Sequence, residues 1–244
     1  HTDHLEPHRF FSCSCDDTQM PDRDTLHPQA LTELPLFPLG TVLFPGALLP
    51  LQLYELRYLQ MIGECERQGT GFGVVTLTQG REVHRPGAAT EQFEAMGTRV
   101  QIERIERPQP GLVMVWCRGV EKFRIEATQQ RSDGLWLGRV ELLPPEPAVQ
   151  VPEDLQHLSA QMHKALTQLS EQPSMVPPWN EAWRLQDCSW LSNRWGELLP
   201  LPLQMKYRLF ALQEPLMRLE LVGDMVAPAG ATEQQPVQKP PANS

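Results

Sequence analysis

The spacing of apolar and polar residues divides the chain into a strand-like first part and a helical second part. Between residues 34 and 145 the apolar runs have strand length and are bounded by glycine, proline or aspartate. After the proline-rich stretch PPEPAVQVPED the apolar residues recur every three to four positions, as in amphipathic helices. We therefore predict a β subdomain over residues 34–145 and a helical subdomain over residues 146–226.

The stretch LPLFPLGTVLFPGALLPLQL, residues 34–53, is uncharged and nearly as long as a membrane-spanning helix. Four prolines and two glycines interrupt it, and each internal proline breaks a helix. FPLGT and FPGA have the composition of turns, and the runs LPLF, TVLF and LLPLQLY have strand length. The pattern predicts strands and turns folded in water rather than a membrane span.

The rest of the β subdomain is predicted from its periodicity. ELRYLQMIGECERQG predicts a short amphipathic helix that ends at Gly69. GTRVQIERIER alternates and then changes phase, which predicts a strand with a bulge near Glu103 and Arg104. GLVMVWCRG and EKFRIEA predict two strands joined by a tight turn at residues 118–121. About six or seven strands with one helix predict a barrel or a sandwich.

The helical subdomain carries its own start signals. Pro152 begins one capped amphipathic helix, and Asp187 is the predicted N-cap of another. Pro202 and Pro215 each stand where a further helix begins. The apolar stripes of these helices predict a small helical bundle that packs together or against the β subdomain.

Both ends of the chain differ from the middle in composition. Residues 1–33 predict a flexible N-terminal extension, and residues 227–244, rich in proline, alanine and glutamine, predict a disordered tail. The chain begins at His1 and its first methionine is Met20. We expect residues 1–19 to be a tag, a processed leader or sequence upstream of the true start.

Charge and cysteine content indicate the class of partner and the cellular compartment. The net charge is -9 and no segment forms a basic patch, which argues against a nucleic-acid partner on electrostatic grounds. Five cysteines, an odd and thinly spread number, are typical of a reducing compartment. The N-terminus lacks the charged and apolar regions of a secretory signal. We predict a cytoplasmic protein with no membrane association.

The most specific motifs resemble one known family. PLFPLGTVLFPG with LPLQLYELRY, and RGVEKFRI, resemble the N-terminal, substrate-binding domain of Lon proteases, in the stand-alone form that bacteria carry as separate genes. The resemblance covers residues 33–226. It implies an α+β fold: a PUA-like, β-barrel-like subdomain of about six strands plus one helix, followed by a C-terminal helical bundle. The division drawn from periodicity agrees with it.

The chemistry of a complete Lon protease is missing from the sequence. No G-x-x-x-x-G-K-[ST] loop is present, and none of the four lysines has a serine in a recognisable nucleophile context. Histidines and cysteines near the N-terminus match no common zinc spacing, so we predict neither metal nor cofactor. Cys117, in an apolar run beside Trp116, is interpreted as a core residue rather than a nucleophile.

Aromatic side chains are the candidate peptide contacts, because indole and phenyl rings anchor many interfaces. The alternative for each is simple packing, above all for the tryptophans that crowd the helical part. The candidates are Phe37, Phe44, Tyr58, Trp116, Trp179 and Trp183. We further predict that Glu55, Arg57 and Arg118 form a buried ion-pair network that fixes the first helix onto the strands.

Together these features predict a non-catalytic module that recognises unfolded or exposed apolar polypeptide segments, by strand addition at a β edge or in an aromatic groove. Protein quality control or proteolysis is its expected setting, with a protease or chaperone as a candidate partner. An RNA-associated PUA-like protein is the alternative, and an unrecognised hydrolase is a third hypothesis. The sequence leaves the oligomeric state open.

Overall fold

The computed structural model describes residues 31–80, 91–170 and 183–226. The predicted tail, Trp179 and nearly all of the predicted N-terminal extension lie outside these ranges. None of the helices in the described ranges is long and apolar enough to span a membrane. The elements are β1 (Thr32–Leu39), β2 (Leu48–Leu53), α1 (Leu56–Gln68), β3 (Phe72–Gln79), β4 (Gln92–Gln109), β5 (Leu112–Gln130), β6 (Trp136–Leu142), a 3₁₀ turn (Glu153–Leu155), α2 (Gln156–Ser170), α3 (Cys188–Leu198), α4 (Leu203–Ala211) and α5 (Pro215–Val226).

The six strands form one sheet in the order β2-β5-β4-β3-β1-β6, and β6 also pairs with β5. This additional pairing closes β5, β4, β3, β1 and β6 into a ring, with β1 and β3 parallel and the other pairs antiparallel. β2 pairs with the first half of β5 alone among the described strands. The prediction of about six strands and one early helix is confirmed, and β2 remains outside the closed ring.

Helix α1 packs its apolar face on the inner surface of the sheet. Tyr58, Ile62 and Cys65 are buried there, as the helical spacing predicted, together with Met61, whereas Leu59 of the predicted stripe is half-buried. The helix ends at Gly69, whose φ of 64° is the left-handed conformation that glycine tolerates at a helix C-terminus. The predicted helix is therefore confirmed.

The strand β5 corrects one prediction. It runs without interruption from Leu112 to Gln130, so the tight turn predicted at residues 118–121 is wrong. Gly119 instead donates a hydrogen bond to the Ala47 carbonyl, and a Cβ at this position would lie 2.7 Å from the Phe44 carbonyl oxygen. The glycine serves a close approach between two backbone segments rather than a turn. The bulge predicted on β4 is confirmed by a register shift between Ile102 and Arg104.

The run TVLF also differs from its prediction, because it lies in the irregular connection between β1 and β2. Phe44 is fully buried there, with its ring centroid 5.7 Å from that of Phe210 on α4. Gly196 on α3 leaves room for the ring, since a Cβ there would lie 2.5 Å from it. Arg194, also fully buried, donates a hydrogen bond of 2.6 Å to the Pro45 carbonyl. The apolar run thus leaves the sheet in order to contact the helical part.

The helical part is built around its own apolar core. Asp187 accepts a hydrogen bond of 2.9 Å from the Ser189 backbone N–H, which confirms the predicted cap of α3. Helix α3 packs against α2, α4 and α5. The core side chains include Leu158, Met162, Leu166, Leu191, Leu219 and Val222. A helical part after the sheet is confirmed, whereas its description as a bundle stays a prediction.

A buried ionic cluster connects the two parts. Glu146, in the linker that follows β6, accepts hydrogen bonds of 2.7 Å from Lys122 on β5 and 2.8 Å from Arg218 on α5. Lys122 also donates to the Phe210 carbonyl, and Ser189 donates its hydroxyl to Glu146. The side chains of Lys122 and Arg218 are 5% and 0% exposed. We call this cluster, together with Phe44 and its contacts, the joint.

The contacts within the joint shift the pKa values of Glu146 and Lys122. Burial alone would raise the pKa of Glu146, but the hydrogen bonds and charges of Arg218 and Lys122 lower it to about 2. Burial, and then repulsion by Arg218, lower the pKa of Lys122 to about 8 although Glu146 opposes the change. Glu146 is therefore ionised throughout the neutral range and pairs with both buried cations.

Replacing Glu146 tests the joint. We expect Glu146→Gln to lower the free energy of unfolding at pH 7 by about 3–5 kcal/mol, because two buried cations lose their carboxylate. The pKa of Glu146 is lowered from 4.5 to about 2 in the folded protein, so its stabilising effect is lost as the pH falls through this window. In urea titrations, the gap between wild type and variant should therefore narrow below pH 4.5. Lys122→Met leaves the Glu146–Arg218 pair intact and should lower the free energy of unfolding by less. Equal stability of the wild type and Glu146→Gln at pH 7 would contradict a stabilising role for the joint.

The packing of Phe44 gives a second test. Gly196→Ala should destabilise the protein by about 1–3 kcal/mol, because the added methyl overlaps the Phe44 ring. Phe44→Leu provides space for that methyl, so the double variant should lose less than the sum of the two single changes. Additive losses in urea unfolding would show that the two side chains do not compete for the same space.

Candidate functional site

β2 presents an open edge in the described part of the sheet. The bond from the Gly119 N–H to the Ala47 carbonyl sets the phase of the β2–β5 ladder, in which bonded and non-bonded residue pairs alternate. By this alternation Leu49 and Leu51 bond to β5, whereas the backbone groups of Pro50 and Gln52 face outward. Proline lacks an N–H, so the middle of the edge offers an acceptor but no donor.

A groove lies beside this edge. It has a volume of about 360 Å³ and runs between β2 and the start of α1. Phe37 and Tyr58 form part of its wall, with ring centroids 4.4 Å apart in an edge-on arrangement. Leu49, Leu51 and Leu53 of β2 complete an apolar lining. We call this cavity the edge groove.

Two large apolar side chains are exposed where β2 passes into α1. Tyr54, which lines the edge groove, is 55% exposed, and Leu56 is 69% exposed. Single exposed apolar residues are ordinary, but two beside an apolar groove and an open strand edge form one surface of the kind that binds partners.

Trp116 lies on β5, on the outer face of the sheet formed there by β2, β5 and β4. It lies opposite Pro50 of β2 and opposite Arg104 of β4 in the sheet register. The Arg104 guanidinium stacks over the indole at 3.7 Å from the ring centroid, which is a cation–π contact. Trp116 is half-buried, so one part of its ring remains accessible beside the edge.

Arg57 fixes the start of α1 and thereby the positions of Tyr54 and Leu56. Its buried guanidinium donates to Glu55 at 3.1 Å, to Glu91 at 2.9 Å and to the Gly134 carbonyl at 2.9 Å. The Trp136 indole N–H donates to Glu91 at 2.7 Å. The network therefore links α1 to the residues that flank β4 and β6.

The predicted ion-pair residues divide into two groups. Glu55 and Arg57 are in direct contact, whereas Arg118 pairs with Glu103 and donates to the Gly46 carbonyl at 3.1 Å. Sequence reasoning missed Glu91, which lies 34 residues from Arg57 along the chain. No periodicity connects positions so far apart, and a pairing of this kind has no local signal.

The aromatic candidates also occupy different places. Phe37 and Tyr58 line the edge groove but are only 6% and 3% exposed, so they offer its wall rather than a protruding anchor. Phe44 belongs to the joint. Trp183 is half-buried on the helical part, where its ring contacts His163 at a centroid distance of 5.6 Å.

Trp116 is the candidate that combines partial exposure with a position next to the edge. Trp179 lies outside the described residues. Tyr54 and Leu56 were not predicted as contact residues. Their exposure depends on where β2 ends and on how the Arg57 network holds the start of α1, and not on their residue types. Their place in the motif LPLQLYELRY was the available signal.

The described thiols of the β subdomain are not activated nucleophiles. Burial raises the pKa of the Cys117 thiol to about 12, and it also raises the pKa of the Cys65 thiol, so neither is a thiolate near neutral pH. Within residues 31–80, 91–170 and 183–226, no group of three or more His, Cys, Asp or Glu side chains is placed to hold a metal ion. What the described edge offers a ligand is apolar contact and backbone hydrogen bonds.

Comparison with known proteins assigns the chain to a family. Residues 33–227 match the substrate-binding domain of ATP-dependent protease La (Lon), and the chain belongs to this family. It is therefore a substrate-recognition module, and the matched domain is a binding domain rather than a catalytic one. The resemblance predicted from the sequence is confirmed, and so is the fold class of a six-stranded sheet followed by a helical part.

Solved structures agree with this assignment. The chain is 29% identical to a Lon N-terminal domain protein from Xanthomonas campestris, with a TM-score of 0.62 over 79% of this chain and 98% of that one. The N-terminal domain of a Mycobacterium avium complex Lon protease shares the fold, with a TM-score of 0.51, 19% identity and coverage of 79% and 97%.

A curated relative matches a shorter region. Protein cereblon of Danio rerio is 29% identical over 126 residues, which is 49% of this chain and 28% of that protein. The chain thus spans less than a third of the length of this relative.

Proposed function

We propose that this substrate-recognition module binds exposed apolar segments of unfolded polypeptides at the edge groove and does not cleave them. The observation that carries the proposal is the open edge of β2, which lies beside an apolar groove and the exposed side chains of Tyr54 and Leu56. An extended apolar segment matches this surface, because its backbone can pair with the open edge and its side chains can pack against the apolar groove.

Binding proceeds by strand addition. The client backbone bonds to the outward groups of Gln52 and to the Pro50 carbonyl. Alternate client side chains then point into the edge groove and towards the face of Trp116, because successive side chains of a strand point to opposite faces. The missing N–H of Pro50 keeps the edge short, which limits pairing between copies of the chain itself.

The bound segment is held for another protein to process. A protease or a chaperone is the partner class that fits a module whose described site lacks a nucleophile. The thiols of Cys65, Cys117 and Cys188 are free, which supports a reducing, cytoplasmic setting. Protein quality control is the process that handles polypeptides with exposed apolar segments.

The exposed pair at the edge groove provides the first test. Tyr54→Ala combined with Leu56→Ala should weaken binding of fluorescein-labelled, unfolded casein about tenfold, because anchors at an interface centre carry most of the affinity. Their exposure predicts a change in unfolding free energy within about 0.5 kcal/mol. Fluorescence anisotropy measures the binding, and urea unfolding checks the fold.

The matched control lies on α5. Met217→Ala with Leu221→Ala also removes two exposed apolar side chains, at 50% and 37% exposure, and should leave casein binding unchanged. Equal affinities for the wild type and the Tyr54/Leu56 double variant would overturn the assignment of the edge groove. RNA binding that collapses with added salt would favour the RNA-associated alternative, and casein turnover without an added protease would favour a hydrolase.

A further inference from the structure

A second open strand edge lies on the last part of β4. The pairing of β3 with β4 stops at Val100, whereas β5 stays paired with β4 as far as Gln109. Beyond Val100, β4 therefore has β5 as its one strand neighbour in the described part of the chain. We call residues 102–107 of β4 the second edge. It is separate from the edge of β2, because β2 and β4 lie on opposite sides of β5.

The ladders on both sides of β5 determine which backbone groups of the second edge face outward. Gly119 bonds to the chain before β2, and the register of β2 with β5 has no shift after it. Every second residue of β5 counted from Gly119 towards Leu112 thus bonds to β2, and the residues between them bond to β4. The latter include Trp116 and Met114, whose partners on β4 are Arg104 and Glu106.

Ile105 lies between these two partners, so its N–H and its carbonyl face away from β5. It offers both a donor and an acceptor at the centre of the second edge, whereas Pro50 at the middle of β2 offers an acceptor alone. Two copies of this edge that meet antiparallel about a two-fold axis at Ile105 form two hydrogen bonds between the Ile105 residues.

The charges beside Ile105 suit pairing of the edge with itself. Arg104 and Glu106 are 58% and 52% exposed, and their charged groups are 3.4 Å apart within one chain. Arg104 stacks over Trp116, and Glu106, two positions further along the strand, lies on the same face of the sheet. In an antiparallel pair centred on Ile105, Arg104 of each copy lies opposite Glu106 of the other, which is a favourable cross-strand pair.

Neighbouring registers lack this match. A centre at Arg104 places the two Arg104 side chains opposite each other, and a centre at Glu106 does the same with the two carboxylates. Like charges directly opposite each other are destabilising. Charged side chains on a strand edge commonly prevent pairing, but here they oppose the two nearest registers and favour the one between them.

We infer that two copies of the chain associate through the second edge, with their β4 strands antiparallel and centred on Ile105. The strands β2, β5 and β4 of each copy then form one continuous sheet that has β2 at both ends. A contact of about five residues per strand buries less than the roughly 1,200 Å² of a standard interface, so we expect dissociation in the micromolar range.

The dimer has a consequence for client binding. It carries two edge grooves, one at each end of the continuous sheet, so two segments of one unfolded polypeptide are held at once and the overall affinity increases. This consequence rests on the proposed function, whereas the dimer itself does not.

Charge reversal tests the register in sedimentation velocity experiments on the full-length protein at micromolar concentrations. Arg104→Glu and Glu106→Arg each replace two attractive cross-strand pairs by two repulsive ones, so each should raise the dissociation constant of the dimer about tenfold or more. The double variant exchanges the two charges and should dimerise again. An equimolar mixture of the two single variants should form a heterodimer, because glutamates of one copy then lie opposite arginines of the other.

Controls separate this contact from a general effect of charge or from the edge of β2. Glu220→Arg makes the same change of charge as Glu106→Arg at an exposed position of α5 and should leave the dissociation constant unchanged. Gln52→Pro alters the edge of β2 and should also leave it unchanged. The charge reversals concern exposed side chains, so the urea midpoints should stay close to that of the wild type.

Several results would overturn the inference. They are a wild type that stays monomeric over the whole range, an unchanged dissociation constant in Glu106→Arg, and a double variant that stays monomeric. Loss of the dimer in Gln52→Pro would assign the contact to β2, and weaker casein binding by Glu106→Arg beside a monomeric wild type would assign the second edge to a client.

The dimer is measured without a client, and the Tyr54/Leu56 double variant should retain it. Failure of the dimer and failure of client binding at the edge groove are therefore distinguishable.

Discussion

The ionic cluster at Glu146 is the interaction on which the rest of the structure depends. One carboxylate in the linker bonds to a lysine on β5 and to an arginine on α5, both almost completely buried. Neither cation is stable in such a place without the carboxylate, so the sheet and the helices are held in one arrangement. Phe44 reinforces the joint by extending from the β1–β2 connection to Phe210 on α4.

Closure of the sheet is the second constraint, and it leaves β2 outside the ring of paired strands. Five strands pair on both sides in the ring, whereas β2 has one neighbour among the described strands. β2, like the second half of β4, therefore has a strand partner on one side only within the described sheet. β5 thus carries both Lys122 of the joint and the pairing with β2.

Local patterns were sufficient for the elements that depend on local physics. The helix α1 with its end at Gly69, the bulge near Arg104 and the cap at Asp187 all follow from side-chain period or backbone conformation within a few residues. The turn at residues 118–121 and the strand at TVLF were wrong because distant contacts decide both. Gly119 permits the approach of the Phe44 backbone, and the Phe44 side chain leaves the sheet for the helices.

The candidate site was predictable only in part, for the same reason. Aromatic residue type identified Phe37, Tyr58 and Trp116, which lie around the edge, but it could not separate them from Phe44 in the joint. The partners Glu91 and Glu146 are 34 and 72 residues from Arg57 and Arg218, and single-sequence patterns carry no signal at such separations.

The backbone of Gln52 tests strand addition most directly. Gln52→Pro removes an outward N–H without removing a bond to β5, and an edge position tolerates proline. We predict that it weakens binding of unfolded casein about fivefold, the effect of a lost hydrogen bond, while the urea midpoint stays unchanged. Gln52→Thr keeps the N–H and should bind like the wild type. A folded Gln52→Pro variant with wild-type affinity would contradict binding through the edge of β2.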